Sequence, residues 1–143
     1  MKKLSLIFPF FFLLSCSQPP QSSTHVYFSP PGELLERAVV DAIDEAHSQI
    51  LVQAYGFTND NICDALKRAR RRHVRIKVLL DKSNETVVNS CIDEMEKLHI
   101  PTRIDAEGGI AHNKVMIIDS MTTITGNSTS QNMPSTMKKT LLS

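Results

Sequence analysis

Apolar runs of strand length, separated by segments whose apolar residues recur at helical spacing, constrain this chain more than any other feature. His25 to Ser29 reads as a short strand. Pro31 then suits the first turn of a helix carrying Leu34, Leu35, Ala38, Val39, Ala42, Ile43 and Ala46 on one face. Residues 50 to 57 are an apolar run too short for a helix. Asn59 or Asn61 can cap a second helix, with Ile62, Ala65, Leu66 and Ala69 as its apolar stripe. Val74, Ile76 and Val78 alternate with Arg75 and Lys77, the pattern of a strand with one buried face. Val87, Val88, Ile92, Met95 and Leu98 predict a third helix, and Ile100 to Ile104 a further strand. This alternation implies an α/β sandwich on a largely parallel or mixed sheet flanked by helices, forming one domain over residues 25–126.

After the break at Gly108-Gly109 comes His112-Asn113-Lys114-Val115-Met116-Ile117-Ile118-Asp119, with Thr122 to Thr125 placed to complete a hairpin with it. On a strand, side chains alternate faces, so His112 and Lys114 point the same way and can converge on one anion. Imidazole can attack phosphorus, and an ammonium can neutralise phosphoryl oxygens as a point charge. The spacing thus suits phosphodiester chemistry without a metal or cofactor.

The octet, with Ile50-Leu51-Val52-Gln53-Ala54-Tyr55-Gly56-Phe57-Thr58 and Val74-Arg75-Ile76-Lys77-Val78-Leu79-Leu80-Asp81-Lys82-Ser83 before it, resembles the phospholipase D superfamily, whose signature is His-x-Lys-x4-Asp. The likeness is greatest to single-motif bacterial endonucleases of the Nuc type, and runs from about residue 25 to Gly126. The resemblance implies that His112 is a nucleophile forming a phosphohistidine, that Lys114 binds phosphate oxygens and that Asp119 supports the geometry of the motif. A second His must protonate the leaving group. With one motif per chain, a C2 homodimer would bring His112 from each subunit to the axis. The remaining histidines, His25, His47, His73 and His99, match no motif and fall at strand or helix ends.

Beyond Gly126 the pattern is lost. The phosphate-binding Ser and Asn of the resemblance fall on Asn127 and Thr129, and the Glu that would orient the nucleophile has no counterpart. Residues 127–143 are therefore expected to be an aberrant tail, leaving the domain truncated without its last helix and strand. Codon junctions from Gly126 onward permit a shifted reading, x-F-N-F-T-K-Y-A-E-Y-N-E-E-N-L-V, close to the expected tail. A frameshift near codon 126 accounts for this, and resequencing of the locus decides it.

Met1-Lys2-Lys3 followed by Leu4 to Leu14 has the charged and apolar regions of an export signal, expected over residues 1–16. Leu13-Leu14-Ser15-Cys16 also resembles a bacterial lipobox, which would make Cys16 a lipidated membrane anchor; ordinary signal cleavage is the alternative. A polar linker follows over residues 17–24. The expected location is the periplasm or outer membrane. Of 16 Lys and Arg, removal of Lys2 and Lys3 leaves 14 against 15 Asp and Glu, so overall charge favours no class of partner. A basic run, Lys67, Arg68, Arg70, Arg71, Arg72, His73, Arg75 and Lys77, could hold a polyanion or anionic headgroups; the commoner reading is a solvated helix end that complements the dipole. Cys63 and Cys91 could pair after export or remain buried thiols. The function expected is an exported phosphodiesterase acting on DNA or RNA. The alternatives are phospholipid headgroup hydrolysis and an inactive truncated remnant.

Overall fold

The computed structural model describes residues 21–28, 32–85, 91–107, 109–110, 112–127 and 136–142. The elements are β1 (Ser22–Phe28), α1 (Gly32–Asp44), β2 (Gln49–Ala54), α2 (Asp60–Arg71), β3 (Arg75–Asp81), a 3-10 turn (Lys82–Glu85), α3 (Ile92–Lys97), β4 (Thr102–Asp105), β5 (Lys114–Ile118), β6 (Thr122–Asn127) and β7 (Thr136–Leu142). They form one mixed sheet of order β1-β7-β6-β5-β2-β3-β4. Five strands run one way; β5 and β7 run against them.

The alternation read from the sequence sets the faces of the sheet. Ile50, Val52 and Ala54 of β2, Ile76, Val78 and Leu80 of β3, Met116 and Ile118 of β5 and Ile124 of β6 are buried. They form one core with Leu35, Val39, Ala42 and Ile43 of α1, Ile62, Ala65, Leu66 and Ala69 of α2 and Met95 of α3. The crossovers from β2 through α2 to β3, and from β3 through α3 to β4, join parallel strands, and the right-handed rule for such connections puts α2 and α3 on the same side. Leu35, Ile43, Ile50, Leu66, Val74 and Leu80 are almost wholly buried, and each contributes about 2 kcal/mol.

The C-terminal segment departs from expectation. Residues 136–142, expected to lie in an aberrant tail outside the domain, form β7, which pairs antiparallel with β6 on one side and β1 on the other. The sheet therefore does have a strand beyond β6. Val87 and Val88, expected in the third helix, lie outside the described residues, and α3 begins at Ile92. Of the two candidate caps it is Asn59 that caps α2, its Oδ1 accepting the Ile62 N–H at 3.0 Å. Cys63 and Cys91 are joined, tying α2 to the residue before α3 across a sequence separation of 28. Closing a loop of that length restricts the unfolded chain by about 3.5 kcal/mol.

Two of the unassigned histidines have a backbone role. His73 and His99 hold φ of 67° and 51° at the ends of α2 and α3. In each case the His N–H reaches the carbonyl three residues back (Arg70, Glu96), and the next N–H reaches the carbonyl five back (Ala69, Met95). This is the Schellman arrangement, in which Val74 and Ile100 then enter the core. A Cβ is penalised in the left-handed region. His73→Gly and His99→Gly are each expected to raise stability by about 0.5–1 kcal/mol in chemical denaturation, leaving activity unchanged.

Candidate active site

The C-terminal ends of β2 and β3 and the start of β5 meet at one end of the sheet. Lys114, the first residue of β5, stands opposite Ala54, the last of β2. One residue further on, the Tyr55 N–H donates to the Asn113 carbonyl at 3.0 Å. This pairing brings His112 to the sheet end, with its Nε2 3.4 Å from Lys114 Nζ. An ammonium only donates, so in a neutral ring this contact leaves the lone pair on Nε2 and the proton on Nδ1. The Tyr55 ring lies against the imidazole, centroids 4.8 Å apart and planes at 51°. Lys114 Nζ is 5.5 Å from the centre of the same ring. Burial lowers the Lys114 pKa below the ordinary lysine value. His112 itself is exposed. The arrangement presents an imidazole nitrogen and a cation to one incoming anion.

Asp119 lies at the other end of β5, roughly 17 Å along the strand from Lys114. Its carboxylate accepts the backbone N–H groups of His47, Ser48 and Gln49 at 2.9, 2.8 and 2.9 Å, and the Ser48 hydroxyl at 2.8 Å. Its own N–H donates to the Gln49 carbonyl at 2.9 Å. Burial alone would raise the carboxyl pKa, but the donors from Gln49, His47 and Ser48 outweigh it and hold the group well below the usual carboxylate range. Asp119 and Ser120 take φ of 53° and 61° in the turn to β6, closed by the Met121 N–H on the Ile118 carbonyl. Asp is among the few residues that tolerate this conformation. Asp119 therefore holds the turn before β2 against the end of β5 and touches nothing at His112.

Asn127 closes β6, and continuing the β5–β6 register sets it beside Asn113 at the same end of the sheet as His112. Thr129 lies outside the described residues, as does Cys16. His47, His73 and His99 sit at the opposite end, and His25 is on the edge strand β1. Among the described residues, His112 is the single imidazole at this site.

Half of the basic run is consumed within the fold. Lys67 pairs with Asp64 and Glu94, and Arg68 with Asp44 at 2.7 Å. Arg70 donates to the Leu98 carbonyl, and Arg72 to the Ile43 carbonyl and toward Asp44. Four of the eight side chains thus cap and cross-link helix ends away from His112, as a solvated helix terminus does. Two residues at the site were not marked as functional in the sequence: Tyr55, quoted only as part of an apolar run, and Asn84. The signal available for Tyr55 was its place just past the end of a parallel strand, where α/β sheets hold their ligands.

The single His-x-Lys pair thus stands at the carboxyl ends of the parallel strands of a helix-covered mixed sheet. Residues 39–137 match the family described as cardiolipin synthase, PLD-like domain, and the chain belongs to the phospholipase D superfamily. It is 38% identical over 112 residues to a phospholipase D of Rickettsia prowazekii (strain Madrid E), covering 78% of this chain and 54% of the relative. It is 40% identical over 110 residues to the phospholipase D of Rickettsia bellii (strain RML369-C), covering 77% and 54%. The chain thus spans about half the length of these curated relatives. The crystal structure of Nuc from Salmonella typhimurium, a phospholipase D family member, superposes with a TM-score of 0.69 at 31% identity, covering 85% of this chain and 83% of that one.

Removing the Asp119 carboxylate strands three backbone donors, so Asp119→Ala should cost about 2 kcal/mol of stability at neutral pH. Because the folded-state pKa is depressed, this contribution is complete above the unfolded value of about 3.9 and is lost as pH falls toward the folded one. Denaturation of wild type and Asp119→Ala should therefore converge only in strong acid; a gap unchanged between pH 7 and pH 2 would contradict it.

Proposed function

We propose that this chain is an exported phosphodiesterase that cleaves nucleic acid through a phosphohistidine at His112. The observation that carries the reading is the 3.4 Å approach of Lys114 Nζ to His112 Nε2 at the carboxyl ends of the parallel strands. His112 Nε2 attacks phosphorus, the leaving oxygen takes a proton from a second imidazole, and water then cleaves the P–N bond and returns the proton. Lys114 holds the phosphoryl oxygens, and Asn127 is the second residue assigned to bind them. The second imidazole comes from His112 of a second copy in a C2 dimer. The likeness to Nuc supports nucleic acid as the substrate class. The joined Cys63 and Cys91, together with the signal-like segment at residues 1–16, support export to an oxidising compartment. Cys16 would anchor the chain to a membrane if it is lipidated.

A second reading, hydrolysis of phospholipid headgroups, is favoured by Ile110, which is 70% exposed two residues before His112, and by the phospholipase D name of the curated relatives. Plasmid DNA and phosphatidylcholine vesicles, each incubated with the full chain in EDTA, separate the two. Nicking of DNA that survives EDTA, falls at least about a thousandfold in His112→Ala and rises with the square of protein concentration at high dilution, where monomer dominates, is the expected result. Hydrolysis of the vesicles alone would transfer the assignment to lipid, and turnover of neither substrate would mark the chain as an inactive remnant.

A further inference from the structure

Tyr55 sits where the chain leaves the sheet, yet its backbone is fixed from both sides. Its N–H donates to the Asn113 carbonyl, and its carbonyl accepts from Asn84 Nδ2. Asn84 is 2% exposed, and the same Nδ2 also reaches the Asp81 carbonyl at 3.0 Å. A buried amide is costly where an aliphatic side chain would pack. Here its Oδ1 has no partner, so the residue bears that cost for the two carbonyls its nitrogen joins. Those carbonyls belong to the ends of β2 and β3, so Asn84 fixes the point from which the Tyr55 ring projects.

His112 has no such support of its own. It lies before β5 begins, is exposed, and follows Gly109 at φ 122°, with its N–H on the Ile110 carbonyl at 3.0 Å. An imidazole on such a segment samples several rotamers. The Tyr55 ring, 4.8 Å from the imidazole and 5.5 Å from Lys114 Nζ, is the surface against which both groups rest.

We propose that Tyr55 is a positioning residue, an aromatic platform set by Asn84 that holds His112 in line with the anion bound by Lys114. This rests on the reading of His112 as the nucleophile. The contacts are made by the ring, and the hydroxyl takes no part in them. A phenyl group should therefore serve and an aliphatic one should not.

The full chain, labelled at histidine and tyrosine, is followed by NMR alongside steady-state hydrolysis. The wild type should show nuclear Overhauser contacts between the two rings. Tyr55→Leu should shift the His112 ring resonances downfield and lower kcat about tenfold or more, with KM within about twofold. Tyr55→Phe should restore both, and Asn84→Asp, which sets a carboxylate against two carbonyls, should reproduce the Tyr55→Leu shift. Absence of the inter-ring contacts in the wild type overturns the proposal whatever the variants do. So does a Tyr55→Leu protein with unchanged resonances and kcat. A wild type that hydrolyses nothing but shows the ring contacts and their loss in Tyr55→Leu leaves the platform standing and refutes the nucleophile instead.

Discussion

The antiparallel pairing of β2 with β5 sets every position at the site, and one carboxylate pins it at the far end. Asp119 gathers three consecutive N–H groups from the turn before β2 while its own N–H bonds the first residue of that strand. With that end fixed, the ladder runs without slack from Gln49 to Ala54, and Lys114 arrives opposite Ala54. A slip of one residue would send every side chain of β5 to the other face. His112 and Lys114 would both leave the Tyr55 ring, and Met116 and Ile118 would leave the core. Lys114 and the four residues between it and Asp119 are thus the length of one strand, with the candidate site at one end and registration at the other.

Much of this arrangement was legible in the chain because it rests on local pattern. An apolar run of strand length marked β2, alternation marked β3, helical spacing marked α1 and α2, and the pair Asn59 and Asn61 marked the start of α2. The octet named His112 and Lys114 because two residues apart on a strand is a statement about direction. Other features depend on distant partners and leave no local mark. Tyr55 touches His112 only because residue 55 continues β2 and residue 113 precedes β5. Asn84 follows β3 by a single turn, and nothing in its neighbourhood announces that its amide spans two strand ends. The pairing of Cys63 with Cys91 likewise depends on how α2 and α3 pack, which spacing leaves open. β7 was missed for another reason: its sequence, Thr-Met-Lys-Lys-Thr-Leu-Leu, has weak alternation, and its place comes from the two strands that flank it.

The distribution of charge carries a related lesson. A run of eight basic residues in eleven positions reads in one dimension as a polyanion site. In the fold half of it is divided among carboxylates on α1, α2 and α3 and the last carbonyls of neighbouring helices. The cation that matters at the candidate site is Lys114, isolated in the sequence and partly desolvated. Exposed pairs such as those of Arg68 and Lys67 contribute little to stability, because water screens them. Their use is to fix how the helix ends meet, and the ammonium at the candidate site is a single, less hydrated one.

The position of β7 has a consequence for how the molecule comes to be folded. Ser22 pairs with Leu142 and Phe28 with Thr136, so the earliest strand of the domain is attached to the sheet only through the latest. Loop closure over such a span is slow relative to the local βα units that build β2, β3 and β4. During synthesis the central strands can assemble on their helices while β1 has no partner. β1 can join only after β7 has been made, so the outer edge of the sheet is the last part of it to form.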